Sequence, residues 1–164
     1  MAKTAYTLEA VANAIYPGLI AAIRASGPGQ FMTDEVGVRA TPDGGRLARA
    51  RFALRYVYSP DNMLLRIETG AVQPRGATAW TFESYFYHCG PERYDEGATH
   101  FRVDYHPIGN QSVRHAHIAD VQPHHIYQHL LVTNLEAISA VDFVGMVTKF
   151  RRDGKCPLVL KAAR

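Results

Sequence analysis

The sequence predicts an α+β domain: a meandering antiparallel sheet flanked by a proline-kinked N-terminal helix and a C-terminal helix. Three observations carry this. Apolar residues recur with a helical period only near the two ends, over residues 8–23 and 135–147. Between them, short stretches alternate apolar and polar side chains and are punctuated by Pro, Gly and Asp turns, the pattern of strands. A chain of 164 residues, 47% hydrophobic and 20% charged, also has the length and mix of one globular domain rather than a disordered tract. Residues 1–164 are therefore read as one domain, with 1–30 its helical N-terminal segment and 149–164 a basic C-terminal tail.

Thr7 is placed to cap the first helix, and Leu8, Val11, Ala12, Ile15, Leu19 and Ile23 follow the 3.6-residue period. Pro17 inside this run predicts a kink, or two short helices meeting at Tyr16 and Pro17. Ser26-Gly27-Pro28-Gly29 ends the helical part. A first strand over about residues 32–39 and a second over about 49–58 are joined by the turn Thr41-Pro42-Asp43-Gly44-Gly45. In the second strand Phe52, Leu54, Tyr56 and Tyr58 alternate with Arg51, Ala53, Arg55 and Val57. Ser59-Pro60-Asp61-Asn62 turns the chain into a strand over 64–68. The next strand, residues 80–88, sets Trp80, Phe82, Ser84, Phe86 and His88 on one face and Thr81, Glu83, Tyr85 and Tyr87 on the other. Two more strands are expected over 100–106 and 113–119, joined as a hairpin across residues 107–113. Thr133 and Glu136 form a capping box ahead of Leu135, Ile138, Val141, Val144 and Val147, and Gly154 stops that last helix.

Several classes are excluded. No apolar run approaches the ~20 residues of a membrane span, since Arg24 and Asp142 cut the best ones. Glu9 and Asn13 fall where a signal peptide would be apolar. Cys89 and Cys156 are too few for a disulfide framework or a four-cysteine zinc site. The expectation is a reduced, cytoplasmic protein with no membrane partner.

Charge and histidine are both unevenly spread. Residues 149–164 carry Lys149, Arg151, Arg152, Lys155, Lys161 and Arg164 against Asp153 alone, so the rest is slightly acidic despite the overall +3. Lys149, Arg151, Arg152 and Lys155 are thus candidates for nucleic-acid binding, or else a solvated helix end. All eight histidines lie between His88 and His129. Strand alternation sets His100, Arg102, Asp104 and His106 on one face, and likewise His115 with His117. One hairpin register brings the two groups together; a slip of one residue separates them. Three readings of that patch stand. It could run acid–base chemistry on a phosphodiester, with Arg102 steadying the developing charge and Asp104 orienting an imidazole. It could bind a transition metal through His115 and His117, completed by His106, Asp104, His124 or His125. Or the histidines could be hydrogen-bonded structural residues. The Glu expected shortly after His-x-His in a cupin-type site is absent, Asp120 being the nearest acid. His124 and His125 read as a solvated loop and His129 as a surface residue. Tyr85, Phe86 and Tyr87 are read as packing residues before base-stacking ones.

Arg66-Ile67-Glu68, the Tyr85-Phe86-Tyr87-His88 strand, Phe101-Arg102-Val103-Asp104-Tyr105-His106-Pro107 and Arg114-His115-Ala116-His117-Ile118-Ala119-Asp120 follow one another in an order that resembles the TumE-type toxins of bacterial toxin–antitoxin pairs. The likeness covers about residues 64–150. Val103 and Tyr105 depart from the family's Arg-aromatic-Asp-Asn run, and its His-His ahead of the His-x-His strand is missing. The resemblance implies a small toxin acting on RNA, neutralised by a cognate helix-turn-helix antitoxin. The matching positions are Arg102, Asp104, His106, His115 and His117. The leading expectation is metal-independent RNA cleavage, with no cofactor, His115 and His117 sharing the acid and base roles. A non-enzymatic metal- or anion-binding module on the same cluster is the alternative, and homodimerisation is left open.

Overall fold

Thr7 caps the first helix, α1 (Leu8–Ile15), its hydroxyl accepting from the Ala10 N–H at 3.1 Å in the computed structural model. The structure describes residues 6–40, 47–91, 100–108 and 111–162. Pro17 has no N–H to continue the helical ladder, and Gly18 turns left-handed at φ 82° before α2 (Leu19–Ala25) begins. The N-terminal segment is thus two helices rather than one bent one. Leu8, Val11, Ile15, Leu19 and Ile23 bury one stripe along both.

Seven strands follow, each antiparallel to the last and neighbouring it in chain order: β1 (Gly29–Ala40), β2 (Leu47–Tyr58), β3 (Met63–Val72), β4 (Thr81–Pro91), β5 (Phe101–Ile108), β6 (Gln111–Ile118) and β7 (Ile126–Tyr127). This is the expected meander. The expected turn over 41–45 lies outside the described residues. The β5–β6 connection is shorter than expected: pairing runs on to Ile108 and Gln111, and only residues 109–110, outside the described set, intervene. His100 precedes β5 instead of joining it.

One face of the sheet is apolar. Leu54, Tyr56, Tyr58, Leu65, Ile67, Tyr87, Phe101 and Val103 are buried there beneath the helices. The last helix, α3 (Ala140–Asp153), lays Phe143 against Tyr87 and Phe101, with ring centroids 5.7 and 5.1 Å away. Burying Phe143, Val144 and Val147 contributes about 1.5–3 kcal/mol each. Its left-handed cap at Gly154 (φ 68°) is where the sequence puts it.

Two local expectations are corrected. The capping box belongs to Ser139 and Asp142, not to Thr133 and Glu136. Residues Leu135–Ala137 form a separate 3-10 turn capped by Asn134, and the Thr133 hydroxyl accepts from the Val159 N–H at 2.9 Å. In β4 the register shifts between Gly70–Ser84 and Ala71–Phe82, leaving Glu83 as an extra residue. Phe82 is therefore switched to the apolar face, where it stacks on Tyr16 at 5.2 Å, while Ser84, Phe86 and His88 stay on the other.

Candidate active site

The second face of the sheet is polar, and strand pairing fixes its layout, because directly opposed residues share a face. One cross-strand row runs Arg55, Arg66, His88, Arg102, His117 from β2 to β6. The next runs Glu35, Ala53, Glu68, Phe86, Asp104, His115, Tyr127. The register is the one that unites the two histidine-bearing strands. Arg102, Asp104, His106, His115 and His117 come together as the sequence proposes.

At the centre is the Asp104 carboxylate. Its Oδ2 lies 2.8 Å from Arg102 Nε and 3.4 Å from Nε2 of both His115 and His117. Arg102 also reaches His117 Nε2 at 2.6 Å and rests over the Phe86 ring, which Arg66 approaches too. Burial on its own would raise the Asp104 carboxyl, but its contacts with His115 and His117 and the charge of Arg102 hold it down to about 2. Burial pushes His117 below the usual imidazole value against the pull of Asp104, and burial together with Arg102 and Arg66 takes His88 to about 4. Both imidazoles are neutral at pH 7.

The loop after β6 adds what the sequence reading set aside. Asp120 adopts a left-handed φ of 61°, and the chain folds back so that His124 and His125 cap the cluster. His125 lies 4.8 Å from the His115 ring and 5.0 Å from His117; His124 lies 4.3 Å from His117. His106 closes the other side, 4.9 Å from His115. Five imidazoles thus gather around the His115–His117 pair, three of them beside the Asp104 carboxylate. Of the remaining three histidines, His88 lies beside the cluster on β4, stacked on Phe86, while His100 packs on Phe150 and His129 stacks on Tyr127.

Access divides these groups. His115 is fully buried and His117 is 5% exposed, whereas His106 is half-buried and His124 and His125 face solvent. The acid and base roles expected of His115 and His117 therefore need groups that reach substrate, and the accessible imidazoles of this cluster are His106, His124 and His125. His115 has no hydrogen bond at either ring nitrogen, and His117 Nδ1 and Asp104 Oδ1 also lack one among the described residues. Donor atoms of His115, His117 and His125 lie within 4.8 Å of one another, as do those of Asp104, His106 and His115.

His106 also lines the end of a trough of about 590 Å³ on the polar face. Small residues make it: Gly37, Gly70 and Ser84 are aligned across the strands, with only Arg51 among them carrying a long side chain. A second hollow of about 370 Å³ shares Gly37 and Arg51 and is walled by Arg39 and Arg49. Arg39, Arg49, Arg51, Arg55, Arg66 and Arg102 all project on this face. Arg49, Arg66 and Arg102 pair with Glu83, Glu68 and Asp104. Arg39, Arg51 and Arg55 make no ion pair among the described residues.

The C-terminal cations are not brought to this site. They belong to or follow α3, which covers the opposite, apolar face. Arg151 is committed to the fold: it binds Asp61 at 2.8 Å and lies over the Tyr58 ring at 4.0 Å. Arg152 pairs with Asp153, while Lys149 and Lys155 are exposed. Cys89 is buried, which pushes its thiol up and away from nucleophilic use. No known family model matches the chain, and no curated protein or solved structure matches it.

Proposed function

We propose that the polar face of the sheet binds single-stranded RNA and cleaves a phosphodiester at the histidine cluster. The observation that carries this reading is the trough itself, which leads from Arg51, shared with the hollow that Arg39 lines, to His106 at the edge of the Asp104 cluster, with Arg55 on the same face; none of the three arginines makes an ion pair among the described residues. Guanidinium groups suit phosphate through paired, planar N–H donors. In this reading they hold successive phosphates, Phe86 offers a flat apolar surface, and His106 exchanges the proton at the reacting oxygen. Buried Asp104, His115 and His117 fix the geometry beneath it. The resemblance to TumE-type toxins points to the same substrate and adds arrest of bacterial growth as the consequence and a helix-turn-helix antitoxin as the partner.

The salt dependence of RNA binding tests the assignment of the face. A cation that contacts phosphate contributes about 0.7 to the slope of log affinity against log salt for a single strand. Arg51→Met with Arg55→Met lowers the slope by more than one, and Lys149→Met with Lys155→Met leaves it unchanged. The opposite pattern would move the RNA surface to the tail.

A further inference from the structure

We propose that His115, His117 and His125 bind one divalent transition-metal ion of the zinc type. This rests on the reading of the cluster as a reactive site and adds to it the ion that acts there. His115 and His117 alternate correctly on β6, so both rings project from one face of a rigid strand. His125 comes from the fold-back loop and completes a set whose donor atoms lie within 4.8 Å. Three imidazoles with a fourth position left for water or substrate is the ligand set of a catalytic zinc site.

The second observation is the buried nitrogens. His115 is fully buried with no hydrogen bond at either nitrogen, and His117 Nδ1 is in the same state. Unsatisfied polar atoms this deep are uncommon and call for a partner. A metal ion supplies one, because an unprotonated imidazole nitrogen is a ligand as it stands. Asp104 fits the supporting role at His115: its Oδ2 is 3.4 Å from His115 Nε2, where a carboxylate orients a ligating ring and offsets the charge of the ion. His125 is the exposed member, so the open position faces solvent on the side of His124 and His106. The ion would lower the pKa of a bound water and polarise a phosphoryl oxygen, which His115 and His117 cannot do by proton transfer from their buried positions.

The test is zinc binding by the untagged full-length chain after stripping with EDTA, read by titration calorimetry and by thermal unfolding. One zinc per chain is expected. His125→Ala, a change at an exposed loop position that leaves the fold intact, weakens zinc binding by more than about 100-fold, beyond the range of a supporting residue. His106→Ala leaves it within a few-fold. Loss with His106→Ala but not with His125→Ala would place the ion on Asp104, His106 and His115 and overturn the assignment. So would a wild-type chain that takes up no zinc at millimolar concentration. RNA cleavage enters neither readout. Zinc binding without cleavage would leave the metal site standing and refute the RNA reading; cleavage in EDTA by a chain that binds no zinc would do the reverse.

Discussion

Replacing His115 by Leu gives a prediction whose sign is diagnostic. At a fully buried core position, losing a well-packed and well-bonded side chain costs about 2–5 kcal/mol. His115 is different, because its Nδ1 is desolvated without a hydrogen bond and its Nε2 has only the 3.4 Å approach of Asp104. Removing an unsatisfied buried group returns about 1–3 kcal/mol. Against this, Asp104 loses one of its partners, worth about 1 kcal/mol, but keeps Arg102 at 2.8 Å. Leu is close to His in volume, so little cavity forms. The metal-free variant is therefore expected to be as stable as wild type or up to about 2 kcal/mol more so. At about 2–4 °C per kcal/mol for a chain of this size, that is a rise in Tm of up to about 8 °C. Calorimetry of both proteins in EDTA measures it, and the variant should show no stabilisation by zinc. A loss of more than about 2 kcal/mol would mean that His115 is a satisfied structural residue, and the argument from its orphaned nitrogens would fall.

Wild-type chain at a zinc concentration 100 times its Kd gains about 2.7 kcal/mol, or about 5–11 °C in Tm, and His117→Ala removes the gain. Phe143→Ala, which empties the contact with Tyr87 and Phe101, costs about 3–5 kcal/mol in urea unfolding without changing the trough. Gly70→Ala narrows the trough, because a Cβ there meets Ser84 Oγ at 3.0 Å; turnover of RNA falls while Tm moves by a degree or two. Burial works to raise the Asp61 carboxyl, but the hydrogen bond and charge of Arg151 outweigh it and lower it. Its folded pKa is then below the unfolded one, so the pair stabilises above about pH 4 and the contribution is lost as pH falls through the folded value. Asp61 is 38% exposed, so the effect is at most about 1 kcal/mol. Wild type should lose more Tm than Arg151→Met between pH 6 and pH 3.

Local signals were legible wherever one residue decides the backbone. Thr7, Pro17 and Gly154 set helix ends that the structure keeps, and β5 and β6 share the face that alternation assigned to Arg102, Asp104, His115 and His117. Competing local signals were not separable. Thr133-x-x-Glu136 and Ser139-x-x-Asp142 both satisfy the capping pattern, and the second won because the helix starts where Ala140, Phe143 and Val144 can bury together. The bulge at Glu83 has no marker of its own, so Phe82 was assigned to the wrong face. His124 and His125 look like solvated loop residues until the left-handed Asp120 folds them over β6. The arginine stripe is legible in the alternation of Arg49, Arg51 and Arg55 with the apolar residues of β2, but the basic tail is the more conspicuous signal because it is contiguous in sequence. Being contiguous, it follows α3 to the face of the sheet opposite the histidine cluster.

Cleavage of a single-stranded RNA by the full-length chain, compared with His106→Gln at equal Tm, tests the central claim most directly. The account predicts cleavage that needs zinc, is lost in EDTA, and falls by at least about 100-fold in the variant, the low end of what a proton-transferring side chain contributes. No cleavage with zinc present, or equal cleavage by both proteins, would contradict it.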